Sequence, residues 1–175
     1  MKYIIIDIDN TICKKHPDRD TYDYTLVHLD TPITPVIRVL EALCNHDDVF
    51  PIFITARRES SREVTRKWIQ DNTELYFGTE GYCLGDTGNL YLGTKDDFTG
   101  SAFTSVGLKS YHKINLYPDA IVKSNLLKKF LKDYNTTKES ILCVFDDNPE
   151  VNEMWREEGL FVFDVNQEKD PGFMM

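Results

Sequence analysis

Four short stretches carry the groups able to do chemistry. Asp7 and Asp9 lie at the end of the apolar run KYIII, within IIIDIDNTI. Thr55 and Arg57 end a second apolar run, in FITAR, and Asp146-Asp147 end a third, in VFDD. Lys123 stands near the start of the helical stretch DAIVKSNLL. Carboxylates gathered at one place repel and cannot all stay ionised without a cation. A Mg²⁺ ion with oxygen ligands resolves that conflict, with Asp7 and Asp146 as direct candidates. A carboxylate such as Asp7 can then attack phosphorus and carry the phosphoryl group covalently. A second acid, Asp9, can protonate the leaving alkoxide and later take a proton from water. The Thr55 hydroxyl and the Lys123 ammonium suit the charge that develops on the transferring oxygens.

Each group alone has a plainer explanation. A lone D-x-D is usually a solvated turn, a lysine at a helix start usually faces water, and Asp146-Asp147 before Asn148-Pro149 suits a turn and cap. The argument rests on their order, since each follows or faces the carboxyl end of a buried strand.

Those ends have to be supplied by a particular kind of sheet. Tyr3 to Ile8 is almost continuously apolar and β-branched, as a central parallel strand covered on both faces would be. Residues 12–31 show no helical period and read as a loop. Thr34 as N-cap and Pro35 at the first position open a helix that turns Val36, Val39, Leu40 and Leu43 inward. Val49 to Thr55 is a second strand, and Ser60 or Ser61 caps a helix with Val64, Trp68 and Ile69 inside. A helix over about 122–133 follows later, with Leu126, Leu127, Phe130 and Leu131 inward. Ile141 to Phe145 is a strand, Asn148-Pro149 opens a helix stopped by Gly159, and Leu160 to Val165 is the last strand. Repeated β-α-β units predict an α/β fold: an open parallel, Rossmann-like sheet with helices on both faces and its ligand site at the strands' carboxyl ends. Residues 72–118 hold most of the chain's nine glycines and short aromatic runs such as NLYLG. They are expected to form a small β-rich insertion within a single domain spanning 1–175.

Composition excludes whole classes. The 175 residues are 41% hydrophobic and 28% charged, which suits one globular domain and not a disordered chain, a fibre or a coiled coil. No apolar run nears the roughly 20 residues that cross a bilayer, and the amino terminus meets acids too early for a signal peptide. The four cysteines are dispersed without a C-x-x-C pair, as expected of a cytoplasmic protein, or of the host cytoplasm for a phage-encoded one. A net charge of −9 disfavours wrapping of long duplexes but not the gripping of one phosphate through a local basic patch. Residues 57–67, RRESSREVTRK, are such a patch, read as a helix carrying Arg57, Arg58, Arg62 and Arg66. Pairs such as Glu63–Lys67 on a solvated helix explain the same charges equally well. Gly88 to Lys95 imitates a P-loop with Thr94 and Lys95 reversed, so no kinase activity is expected. His16, His28, His46 and His112 lack metal-ligand spacing.

IIIDIDNTI, FITAR, Lys123 in DAIVKSNLL, and VFDDNPEVNEMW resemble the four successive motifs of the haloacid dehalogenase (HAD) superfamily of phosphohydrolases. The resemblance implies Asp7 as nucleophile and Asp9 as general acid/base. It also implies a Mg²⁺ site formed by the Asp7 and Asp146 carboxylates with the Asp9 main-chain carbonyl, supported by Asp147. Arg19 and Tyr22 after the first motif, TARRESSREVTRKW, DNPEVNEMWREEGL and the Asp119-x-x-x-Lys123 spacing are similar to the 3′-phosphatase domains of bacteriophage polynucleotide kinase-phosphatases. That narrower resemblance implies that Arg19 and Arg57 engage the substrate phosphate or adjoining backbone and that Asp119 orients Lys123 or the site. It implies 3′-phosphorylated DNA or RNA ends as substrate, with a separate kinase or ligase as a candidate partner. Two other readings stay open: a nucleotidase or small-metabolite phosphatase, lidded by part of 72–118, and a phosphate-end binding module without turnover.

Overall fold

The computed structural model describes residues 1–20, 23–46, 48–75, 89–93 and 119–166. In chain order its elements are β1 (Lys2–Ile6), β2 (Cys13–Lys14), β3 (Thr31–Pro32), α1 (Thr34–Cys44), β4 (Val49–Arg58) and α2 (Arg62–Asn72). Then follow β5 (Leu90–Gly93), α3 (Asp119–Asp133), β6 (Ile141–Asp146), α4 (Pro149–Glu157) and β7 (Val162–Asp164).

Alternation along the strands builds two cores. Ile4 and Ile6 of β1 join Phe53, Leu90, Leu92 and Phe145 on one face, where α1 and α2 supply Ile37, Leu40, Trp68 and Ile69. Tyr3 and Ile5 join Ile52, Ile54, Tyr91 and Val144 on the other, where α3 and α4 supply Leu126, Phe130, Val151 and Trp155. Successive side chains leave a strand on opposite sides, so a run apolar at every position demands cover on both faces. The helices lie on both faces as the pattern requires.

All five main-sheet strands are parallel, in the order β5-β4-β1-β6-β7. The order places β1 in the middle. Ile6 lies opposite Phe53 of β4 and Phe145 of β6, and the Asp7 amide donates to the Phe145 carbonyl at 3.0 Å. Asp7 and Asp146 therefore leave the sheet side by side, with Thr55 on the other flank. A parallel sheet whose central strand stops first leaves a crevice there, which suits a ligand.

Local chemistry explains α4. The Asn148 side chain accepts from the Glu150 and Val151 amides, and Pro149 stands in the first turn. At its far end Gly159 has φ +82°, a left-handed conformation, and the Gly159 and Leu160 amides return to the Arg156 and Trp155 carbonyls.

Several expectations need correction. Val39 and Val64 are 51% and 40% exposed; the next residue along each helix, Leu40 and Thr65, is the one that is buried, and Ile37 is the other inner position of α1. Residues 12–31 are not wholly irregular, because β2 and β3 pair as a short antiparallel ribbon. NLYLG supplies β5, an edge strand of the main sheet paired with β4, whereas 76–88 and 94–118 lie outside the described residues. The helix of 34–44 starts with Thr34 inside it rather than capping it, and Ser61 donates to the Arg58 carbonyl instead of capping α2. Arg57 and Arg58 belong to β4, so only Arg62 and Arg66 ride on α2, where Lys67 pairs with Asp71 rather than Glu63. No helix among the described residues is long and apolar enough to cross a membrane.

The two-faced core makes a direct prediction. Ile5→Ala should lower unfolding free energy by about 2–5 kcal/mol, whereas Val39→Ala should change it by less than about 0.5 kcal/mol, in urea denaturation followed by fluorescence. Similar losses for both would refute the assigned helix face.

Candidate active site

Asp7 is 5% exposed and faces two polar partners. Lys123 Nζ meets Asp7 Oδ1 at 2.8 Å, and Thr11 Oγ1 donates to Asp7 Oδ2 at 3.3 Å. The same Lys123 Nζ meets Asp146 Oδ2 at 2.7 Å. Lys123 reaches the crevice because α3 packs across the sheet and presents its buried face there, next to Val122 and Leu126. Such a lysine is not solvent-facing: at 2% exposure it has exchanged water for two carboxylates. Their charges outweigh the burial that would otherwise ease its deprotonation and hold its pKa above the ordinary value.

Asp146 is fully buried and every part of it is gripped. The Asn148 amide donates to Oδ1 at 3.2 Å, the Trp155 indole N–H to Oδ2 at 3.1 Å, and the Asn152 amide group to its carbonyl at 3.2 Å. Asp147 Oδ1 lies at the same 3.3 Å from Thr11 Oγ1, whose single hydroxyl proton is shared between the two carboxylates and so links Asp147 to Asp7. One oxygen from each of Asp7, Asp146 and Asp147 falls within 4.8 Å of the others. Crowding shows in their protonation. Burial, then the neighbouring Asp146 charge, pushes Asp147 up to about 6; burial likewise raises Asp7 despite Lys123 beside it. The donors are hard carboxylate oxygens already converging, a set that suits Mg²⁺.

Asp9 occupies a second cluster. Its carboxylate is 38% exposed and turns toward β4, where Arg57 forks onto it through Nε at 2.8 Å and Nη2 at 2.7 Å. Arg19 Nη2 adds a longer contact of 3.4 Å. Burial alone would raise this acid, but the Arg57 hydrogen bonds and charge, with Arg19, hold it below the usual carboxylate range. The Asp9 side chain therefore stands apart from the oxygens of Asp7, Asp146 and Asp147. Arg57 is steadied by Thr65 Oγ1 at 3.1 Å, from α2.

A cavity of about 270 Å³ opens onto both clusters. Asp7, Asp9, Arg19, Thr55, Arg57, Asp119, Lys123 and Asp147 all line it, while Asp146 sits beneath. Asp119 is one helical turn before Lys123 on α3. A larger groove, about 440 Å³, lies between α1 and α2; it shares no lining residue with this one, and its acids, Glu41, Asp71 and Glu74, do not converge as the groups around Asp7 and Asp9 do among the described residues. Three further contributors carried no spacing signal of their own. Thr11 lies inside the first motif, Tyr24 lines the cavity from the polar 12–31 stretch, and Trp155 is legible only as an inward indole needing an acceptor. A fourth is Asp30, buried behind the arginines. Tyr22 lies outside the described residues.

An open parallel sheet with acids at the tips of β1 and β6, a cation from α3 and two arginines lining the same cavity is a phosphate-handling arrangement of the HAD type. Residues 1–89 match the family model described as the polynucleotide kinase PNKP phosphatase domain, and the chain belongs to that family. It is 26% identical over 156 residues to a protein of Autographa californica nuclear polyhedrosis virus whose assigned description is bifunctional polynucleotide kinase/RNA ligase. That match covers 88% of this chain and 18% of the relative, so the chain spans about a fifth of the relative's length. Two structures of Pnkp1/Rnl/Hen1 complexes, one titled as an RNA repair complex, share the fold with TM-score 0.60 and 23% identity. They are matched over 93% of this chain and over 42% and 45% of their own chains.

A proton and a divalent ion would compete for the same oxygens. Because the folded pKa of Asp147, about 6, lies above its ordinary 3.8, the folded chain holds more proton than the unfolded one between those values. Without a divalent ion this contribution to stability falls as pH rises through that window. Thermal stabilisation by Mg²⁺ should accordingly be smaller near about pH 5 than near about pH 7.5, and Asp147→Asn should reduce the difference. Scanning fluorimetry reads it; equal Mg²⁺ shifts at both pH values would contradict this candidate cation site.

Proposed function

We propose that this chain is a Mg²⁺-dependent phosphatase that removes 3′-phosphates from DNA or RNA ends through an aspartyl-phosphate on Asp7. The observation that carries the reading is the placement of Asp7 at the tip of the central strand. There it shares Lys123 with Asp146 and faces a cavity whose mouth holds Arg19 and Arg57. Polynucleotide ends are favoured over small esters by the family and by the relatives' descriptions.

In this mechanism a dianionic phosphate enters between Lys123, Thr55 and the two arginines, which offset its charge in a partly desolvated site. Asp7, Asp146 and Asp147 would hold Mg²⁺, with the Asp9 main-chain carbonyl implied by the HAD resemblance. The ion would neutralise the crowded carboxylates and polarise the phosphoryl oxygens. An Asp7 oxygen attacks phosphorus as the bond to the 3′-oxygen breaks, and Asp9 delivers a proton to that oxygen. Water then attacks phosphorus, gives a proton to Asp9, and releases inorganic phosphate from Asp7. The geometry adds one requirement: paired with Arg57, Asp9 is a weak proton carrier, so the incoming phosphate must first draw the guanidiniums toward itself.

A 5′-kinase and a ligase acting on the same ends would sit elsewhere, in another part of a longer polypeptide or in a partner protein. Both relatives extend well beyond the stretch they share with this chain.

Phosphate release in Mg²⁺ should be faster from a 3′-phosphorylated oligonucleotide than from 3′- or 5′-mononucleotides, and preference for mononucleotides would overturn the substrate assignment. Asp7→Asn should lower turnover by at least about a thousandfold with the fold intact. Full activity in that variant would exclude Asp7 as nucleophile.

A further inference from the structure

Arg19 and Arg57 are 2% and 3% exposed, and a buried guanidinium deprived of its counter-ion is strongly destabilising. Asp9 answers only part of that need. It forks onto Arg57 but touches Arg19 at 3.4 Å, and it stands at the cavity mouth where phosphate must arrive. The main anionic partner of Arg19 is Asp30, whose side chain is fully buried. Arg19 Nε donates to Asp30 Oδ1 at 2.9 Å and Arg19 Nη2 to Oδ2 at 2.8 Å, a parallel fork. Arg57 Nη2 reaches the same Oδ2 at 3.2 Å. One carboxylate thus joins both guanidiniums from behind.

Asp30 is itself fixed on two sides. The His16 amide donates to Oδ1 at 3.0 Å, and the Trp68 indole N–H donates to the Asp30 carbonyl at 2.9 Å. Trp68 is a core residue of α2, so the position of Asp30 is tied to the packed helix layer. Asp30 does not line the cavity and cannot touch a substrate. Carboxylate oxygens of Asp9 and Asp30 converge with Cys13 Sγ closely enough to suggest a cation site, but the two guanidiniums already hold both carboxylates.

We propose that Asp30 is the positioning residue of the site, the counter-ion that keeps Arg19 and Arg57 aimed across the cavity mouth while Asp9 exchanges them for the substrate's phosphate. This rests on the phosphatase reading for its purpose. Asp30 fixes the Nε–Nη2 edge of Arg19 whichever way Asp9 turns. With it, each arginine keeps an anchor as its outward edge changes partner, and Asp9 is freed to carry a proton.

Inorganic phosphate in saturating Mg²⁺ is the probe, and calorimetry reads its binding without turnover. The isosteric Asp30→Asn variant should bind phosphate at least about tenfold more weakly and raise KM for a 3′-phosphorylated oligonucleotide more than it lowers kcat. Because Asp30 acts largely through Arg19, Arg19→Gln/Asp30→Asn should bind phosphate within about threefold of Arg19→Gln alone. The paired variant also removes both buried charges, so it remains informative if Asp30→Asn fails to fold. Wild-type phosphate affinity in a folded Asp30→Asn protein would overturn the proposal. So would a double variant about tenfold or more weaker than Arg19→Gln. Failure of the phosphatase reading shows separately, as wild-type protein that binds phosphate but releases none from any ester.

Discussion

Everything at the carboxyl edge of this sheet answers to the repulsion among its acids. A parallel sheet with β1 between β4 and β6 delivers Asp7 and Asp146 to adjacent strand tips, and Asp147 follows at once. The fold then supplies cations from three other places: Lys123 from α3, Arg57 from the end of β4, and Arg19 from the stretch between β2 and β3. Set against Lys15, Arg19, Arg57 and Lys123, the acids Asp7, Asp9, Asp30, Asp119, Asp146 and Asp147 leave two carboxylates unmatched when all are ionised. That surplus equals the charge of one divalent ion, and it lies on the side of the site where the oxygens already converge.

The charges are sorted as well as balanced. Asp7, Lys123 and Asp147 line the cavity with Asp146 beneath them, a group held by Trp155, Asn148 and Thr11. The arginines and Asp9 lie at the mouth, held from behind by Asp30 and Thr65. A buried ion pair contributes little net stability, because desolvation offsets its attraction, but removing one partner is costly. Such pairs are better understood here as fixing geometry. The two core layers provide the stability and hold the helices carrying Lys123, Trp155 and Thr65.

Much of this was legible before any coordinates. Apolar runs too continuous for a one-faced sheet marked β1 and the interior of β4 and β6, and acids at their ends marked the crevice. The helix faces were read less well. Val39 and Val64 satisfy a helical period but lie one position off the stripe that packs, since a short helix tolerates an exposed valine as readily as a buried one. NLYLG was misplaced because four apolar residues among glycines look the same at a sheet's edge as in an insertion. Asp30 had no signal at all: an acid in a polar stretch is ordinary, and only its burial makes it unusual.

Residue order alone determined the alternation of strands and helices, the tipping of the strands with acids, and the candidates Asp7, Asp9, Thr55, Arg57, Lys123, Asp146 and Asp147. These are local matters, set by hydrophobic period and by residue type next to each run. Tertiary structure alone decided that Lys123 bridges Asp7 and Asp146, that Asp9 turns from them toward Arg57, and that Asp30 stands behind both arginines. Lys123 and Asp7 lie 116 residues apart along the chain, and only crossing connections and packed helices bring such charges within hydrogen-bonding distance.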